Sequence, residues 1–246
     1  MDLIRQRVKT VLDQDRQVLN FEHYRTSVAH QQRLTALTRM APELYDNPDI
    51  TPRAKWFSHP MYRRNSQMPP FHVHFRQEMQ HVVSCLWDAL SSSSSSSSQQ
   101  QQELRQKHVR RASQIFQGSM RGLHGHVSIE EYACFPVYQQ TFPRVNLSFL
   151  VDDHKELHRA EQHVKQILSQ LHDSLSTSNG GNVQDYNTNN NGTNHHHDDD
   201  DDGDSDKLLY TALEVVLDYD EQLMAHLGEE EEIVVPLSLT EKPIWF

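Results

Sequence analysis

Residues 226–236 read HLGEEEEIVVP, a His followed by four consecutive Glu and then by Ile-Val-Val-Pro. The segment 126–136, HVSIEEYACFP, repeats the spacing: in both, Glu stands four and five positions after the His, and Pro ten positions after it. On an α-helix, residues i and i+4 differ by about 40° and ~6 Å of rise. His126 with Glu130, and His226 with Glu230, therefore project from one helix face toward one point. His154 and His158 form a third pair with this spacing.

Outward from these pairs, four segments carry an apolar period of 3.6 residues, and strand signals are scarce. They run from about Phe71 to Leu90, from Glu103 to about Tyr138, from about Val145 to Leu175 and from Lys207 to about Val235. The second ends near Pro136 and Pro143, and two low-complexity runs lie between segments, Ser/Gln over 91–102 and Asn/Gly/His/Asp over 177–206. The pattern predicts an all-α fold: an antiparallel up-down four-helix bundle over 71–238, with the two runs as loop inserts and a short tail over 239–246. Long polar inserts are tolerated because closure entropy grows only logarithmically with loop length. Residues 1–70 are expected to form a helical extension. Segments 2–30 and 31–40 look helical, with Val8, Val11 and Leu12 among the apolar points, before Pro42, Pro48, Pro52 and Pro60 break the pattern. Packing against the bundle is the default for this extension, and a partner-binding arm the alternative.

The 246 residues carry a net charge of −11. Seven Asp over 198–206 and four Glu over 229–232 match that excess, and elsewhere the signs balance without a basic stripe. Nucleic acid is therefore not an expected partner. The N-terminus is charged from its second residue and lacks an apolar h-region. No apolar run approaches the ~20 residues of a membrane span, so the expected location is the cytoplasm or nucleus, with no membrane partner. Cys85 and Cys134 are read as buried free thiols. The 17 His are out of line beside 23 Lys and Arg. His195 to His197, next to five Asp, are read as a solvated linker.

Helical-wheel position separates candidate metal ligands from the other histidines. In the first segment His72 shares a face with Phe75, Met79, Val82, Leu86 and Leu90, whereas His74 lies about 200° away and stands as the fallback. His126 lies beside Leu123 and Ile129 while His124 points elsewhere; His154 and His158 lie among Leu150, Val151 and Leu157; and Leu223 leads up to His226. Burying five His and two Glu without a cation would leave polar groups unpaired at several kcal/mol each. A dinuclear metal site satisfies them together. The expected ligands are His72, His126, Glu130, His154, His158, His226 and Glu230, with Glu231 kept as an alternative to Glu230, and Glu229 and Glu232 read as solvated charges. Mixed imidazole and carboxylate donors suit iron, with manganese or zinc as alternatives. Seven protein ligands cannot fill two six-coordinate ions, so an oxo or hydroxo bridge and an open position for dioxygen or a small anion are expected. Tyr132, Tyr138 and Tyr219 are expected to pack the core near the pocket.

With a His in the first helix, HxxxE in the second, HxxxH in the third and HLGEEEEIVVP in the fourth, the chain resembles the hemerythrin-like, or HHE cation-binding, family over roughly 71–236. The resemblance implies a non-haem diiron protein acting as sensor, store or carrier. It makes the five His terminal ligands, and Glu130 and a fourth-helix carboxylate bridges between the irons. Oxygen carriers of the family have Asp at i+5 in the fourth helix, where this chain offers Glu at i+4 and i+5. No F-box, leucine-rich repeat or RING cysteine set accompanies the motifs, so the module is expected without ligase activity, with a protein partner that reads iron status. A diiron oxidase or peroxidase on the same scaffold and a helical interaction module without specific metal are the alternative readings.

Overall fold

In a computed structural model of the chain, describing residues 2–16, 27–50, 53–62, 68–92, 98–177 and 201–240, all regular structure is helical and no strand occurs among the described residues. Four short helices come first: α1 (Asp2–Asp13), α2 (Val28–Met40), α3 (Pro42–Tyr45) and α4 (Arg53–Trp56). Three long ones are α5 (Met68–Ser91), α6 (Ser98–Ile129) and α8 (Ser148–Thr177), and the fourth is α9 (Asp201–Ser238). A single π turn, Glu130–Cys134, joins α6 to α7 (Phe135–Thr141).

The stripe on α8 illustrates why these segments pair. Leu150, His154, Leu157, Glu161, Val164, Leu168, Leu171 and Leu175 are all buried, in alternating steps of four and three residues that hold one face toward the core. The same spacing on α5 buries Phe75, Met79, Val82, Val83, Leu86, Ala89 and Leu90. Pro69 and Pro70 fall in the first turn of α5, where their missing N–H groups have no helical acceptor to lose. α5 packs on α6 and α9, and α8 packs on the same two, closing a ring of contacts around a shared core that includes Phe116, Leu171, Leu213 and Leu223. Each such side chain contributes roughly 1.5–3 kcal/mol by leaving water.

Helix boundaries depart from expectation where polar residues continue a helix. The run 99–102 belongs to α6, whose Gln102 and Gln106 amides donate to Leu175 O near the end of α8. Asp206, assigned to the second insert, lies inside α9 and pairs with Arg105 at 2.8 Å. Capturing the exposed carbonyl end of a neighbouring helix gives these polar residues a reason to be helical that a hydrophobic period does not reveal. Residues 178–200 of that insert, including His195 to His197, lie outside the described residues, as do 241–246. Leu239, expected in the tail, is buried with Ile50, Trp56 and Val235.

The N-terminal region packs along the long helices, although α1 ends at Asp13 where a helix over 2–30 was expected. Val8 and Val11 of α1 enter the main core, and Gln80 Nε2 donates to Val11 O at 2.8 Å. Leu37, Ala41, Leu44 and Tyr45 share a second cluster with Phe135, Tyr138, Ile233 and Leu237, and the Tyr45 hydroxyl donates to Ile233 O at 2.9 Å. No helix among the described residues is long and apolar enough to cross a membrane.

Arg16 is fully buried against Asp220 of α9, its two terminal nitrogens donating to the two carboxylate oxygens at 3.0 and 2.8 Å. Removing one partner of such a pair strands the other charge. Arg16→Ala is expected to lower unfolding free energy by about 3–5 kcal/mol in urea titrations, and Arg16→Met with Asp220→Leu to recover most of that loss.

Candidate metal centre

Four long helices each deliver an imidazole to one point. α5 supplies His72, α6 His126, α8 His154 and α9 His226, while Glu130 enters from the π turn and Glu230 from α9. Their donor atoms form two groups that share Glu230: His72, His126, Glu130 and Glu230, and His154, His226 and Glu230, with the atoms of each group within 4.8 Å of one another. Glu130 faces both groups, Oε1 lying 2.7 Å from His126 Nε2 and Oε2 3.7 Å from His154 Nε2. Glu230 Oε2 stands 3.6 Å from His72 Nε2 and 3.5 Å from His226 Nε2. His72 Nε2 and His126 Nε2 approach to 2.9 Å.

Both carboxylates are buried, and among the described residues no donor meets their oxygens with hydrogen-bond geometry, the 2.7 Å approach of His126 Nε2 included; the two carboxyls have chiefly each other, and His154 Nε2 has no partner. Orphaned buried groups of this kind are rare because each costs roughly 1–3 kcal/mol, and more when charged. Burial also shifts the protonation of these donors. Burial, and then the neighbouring imidazoles, hold His72 and His226 well below the usual histidine range. Burial also lowers His126, and lowers His154 against the opposing pull of Glu131. Burial thus favours the neutral imidazole, the form that can offer a lone pair to a cation. Burial pushes Glu130 well above the usual carboxyl range, and burial followed by the charge of Glu130 does the same to Glu230. A divalent ion among these groups would displace protons and take up the carboxylate oxygens and His154 Nε2, so the residues present fit a bound metal.

The second Glu of each repeat has a different task. Glu131 Oε1 accepts from His154 Nδ1 at 2.8 Å, and Glu231 Oε1 accepts from His72 Nδ1 at 3.0 Å. Carboxylates behind imidazoles fix the ring orientation and leave Nε2 as the donor. Glu231 thereby stands behind the His72 ring, and it is Glu230 whose oxygens lie among the converging imidazoles. Its other contacts are Arg76 at 3.2 Å and Arg53 at 3.0 Å, and burial still pushes its carboxyl up to about 7. The π turn sits where two adjacent Glu both serve the site: Phe135 N–H donates to Glu130 O five residues back, and the wider turn re-aims the side chains within it.

Glu229 and Glu232 are not solvated, contrary to expectation. Glu229 is buried and accepts from Arg33 at 2.9 Å, while Glu232 Oε2 lies 2.7 Å from His30 Nε2. Arg33 also grips Asp153 and lies over the Phe149 ring. The cations that neutralise the Glu run thus come from α2, α4 and α5. Nothing in the spacing of His30, Arg33, Arg53 or Arg76 identifies them as such, although four adjacent Glu before Ile-Val-Val require counter-charges from somewhere.

His158 does not join the centre. The core stripe of α8 takes a step of three from His154 to Leu157, which leaves His158 one residue beyond it on the solvent side, 57% exposed. His74 is exposed and His72 fully buried, which decides between them. Tyr132 is exposed, contrary to expectation; Tyr138 is buried in the second cluster, and the Tyr219 hydroxyl donates to Met120 Sδ at 3.0 Å. Both cysteines are free, Cys85 buried and Cys134 half-buried. A cleft of about 220 Å³ lined by Arg33, Asp153, Leu157 and Gln222 reaches His226 from the surface.

Comparison with known proteins adds no relative: no family model, curated protein or solved structure matches the chain significantly.

His30 provides a pH signature. Burial alone would lower it, but hydrogen bonds and charges from Glu229 and Glu232 outweigh burial and carry it from 6.5 up to about 9. A pKa raised on folding contributes stability that is fully present below the unfolded value and is lost as pH rises through the folded one. Thermal melts are expected to show that contribution fading between pH 6.5 and about 9 in the native chain, and missing from His30→Gln.

Proposed function

We propose that the chain is a hemerythrin-like iron protein, an antiparallel up-down four-helix bundle whose centre holds two non-haem iron ions and, through them, dioxygen or a small anion. One observation carries this reading: four buried carboxylate oxygens, on Glu130 and Glu230, that no donor among the described residues meets with hydrogen-bond geometry, enclosed by imidazoles from all four long helices. The closed ring of contacts among those helices supports the bundle arrangement. His72 and His126 would hold one ion and His154 and His226 the other, with Glu130 and Glu230 between them. Nitrogen and oxygen donors without thiolate suit iron, with manganese or zinc as alternatives.

An iron pair supplies electron exchange with an exogenous ligand at positions the six side chains leave open. The chain's own residues do the rest. Glu131 and Glu231 keep the His154 and His72 rings aimed, the apolar core excludes bulk water, and the cleft beside Arg33 offers a small anion or dioxygen a route to His226. Because the donors must give up protons to bind, metal affinity and helix order are coupled. That coupling is what a protein partner would read if the chain serves as a sensor.

The test is elemental analysis of the full chain, purified without an added polyhistidine tag and reconstituted with ferrous iron. About two irons per chain are expected, and chelation should lower the melting temperature. Glu130→Gln and His226→Ala should each lose iron and thermal stability together, whereas His158→Ala should keep the pair. Less than about one iron per chain after reconstitution, or full iron content in Glu130→Gln, would overturn the proposal.

A further inference from the structure

Glu161 occupies a core position of α8, 1% exposed, where the surrounding stripe is otherwise His154 and aliphatic residues. Its carboxylate does not face the centre described above. Oε2 lies 2.6 Å from His124 Nε2 of α6 and 3.3 Å from His158 Nδ1 one turn back on α8, and Oε1 is approached by Lys165 Nζ. The three donor atoms of His124, His158 and Glu161 all fall within 4.8 Å of one another, and the two imidazole rings lie 5.4 Å apart.

We infer that His124, His158 and Glu161 form a second, separate site for one divalent transition cation of the zinc type, exchangeable with solvent. Donors about 2 Å from a tetrahedral ion stand ~3.3 Å apart, so the His158–Glu161 separation already fits, and His124 has only to back away by less than about 1 Å. Both rings can adjust to the ion from the solvent side, His124 being 45% and His158 57% exposed. The carboxylate, in contrast, is anchored in the core and fixes where the ion sits. Two imidazoles and one carboxylate make a donor set of the open zinc type, with the remaining position left to water. The site shares helices with the centre but no donor: it lies one turn beyond His154 on α8 and two residues before His126 on α6, and an ion there would tie α6 to α8. Lys165 is the competitor, its ammonium taking the place of the cation on Glu161 when no ion is bound.

Equilibrium dialysis of the full chain against micromolar zinc chloride, followed by elemental analysis, tests the site whatever the central cluster holds. The native chain is expected to retain about one zinc more than His124→Ala and about one more than His158→Ala, with the iron content of all three unchanged. Lys165→Met should tighten that one zinc several-fold by removing the competing cation. Equal zinc in the native chain and His124→Ala would show that these residues are only an ion pair and overturn the inference. Loss of iron from His158→Ala would assign His158 to the centre and overturn it as well, and unchanged zinc affinity in Lys165→Met would exclude Glu161 as a ligand.

Discussion

Two carboxylates whose oxygens meet no hydrogen-bond donor among the described residues, Glu130 and Glu230, stand among imidazoles inside a helical core, and most of the surrounding chemistry follows from them. A carboxyl group in such a place must either keep its proton or meet a cation, because an isolated buried charge costs several kcal/mol or more. Imidazoles around it stay neutral for the same reason, since burial disfavours their charged form. The result is a set of groups with their protons in place and their lone pairs converging. An apolar core of the same size would be more stable without them, which is the physical argument behind the metal-binding proposal.

The N-terminal region belongs to this electrostatic system. Four consecutive Glu on α9 would repel one another, yet three of them are buried, and Glu232 is in hydrogen-bond contact with His30. Their charges are met by Arg33 and His30 of α2, Arg53 of α4 and Arg76 of α5. Only Arg76 comes from a long helix of the core. The segment before α5 therefore supplies counter-charge as well as apolar contacts such as Leu44 and Tyr45.

Much of this was legible before any coordinates, and what failed did so for identifiable reasons. The i+4 rule found His126 with Glu130 and His226 with Glu230 because each first Glu continues the stripe its His belongs to. It failed at His158, because a stripe alternating steps of three and four takes the short step at that point, and the same step makes Glu161 a buried residue that no motif singled out. The choice of His72 over His74 followed from apolar neighbours alone. The roles of Glu131 and Glu231 did not, since they depend on which ring from another helix lies alongside. The ends of α6 and α9 were misjudged because tertiary partners, Leu175 O and Arg105, hold polar sequence in a helix that no apolar period announces.

The crossed pattern of the two outer carboxylates has a mechanical meaning. Glu131, from the α6 side, steers a ring on α8, and Glu231, on α9, steers a ring on α5. Each consecutive pair of long helices therefore holds an imidazole of the other by its back nitrogen. Sliding or turning one pair against the other would rotate both rings away from the shared point at once, so the donor geometry gauges the alignment of the whole helical assembly. A displacement applied far out along α5 or α9 would therefore reach the His72 ring through its bond to Glu231.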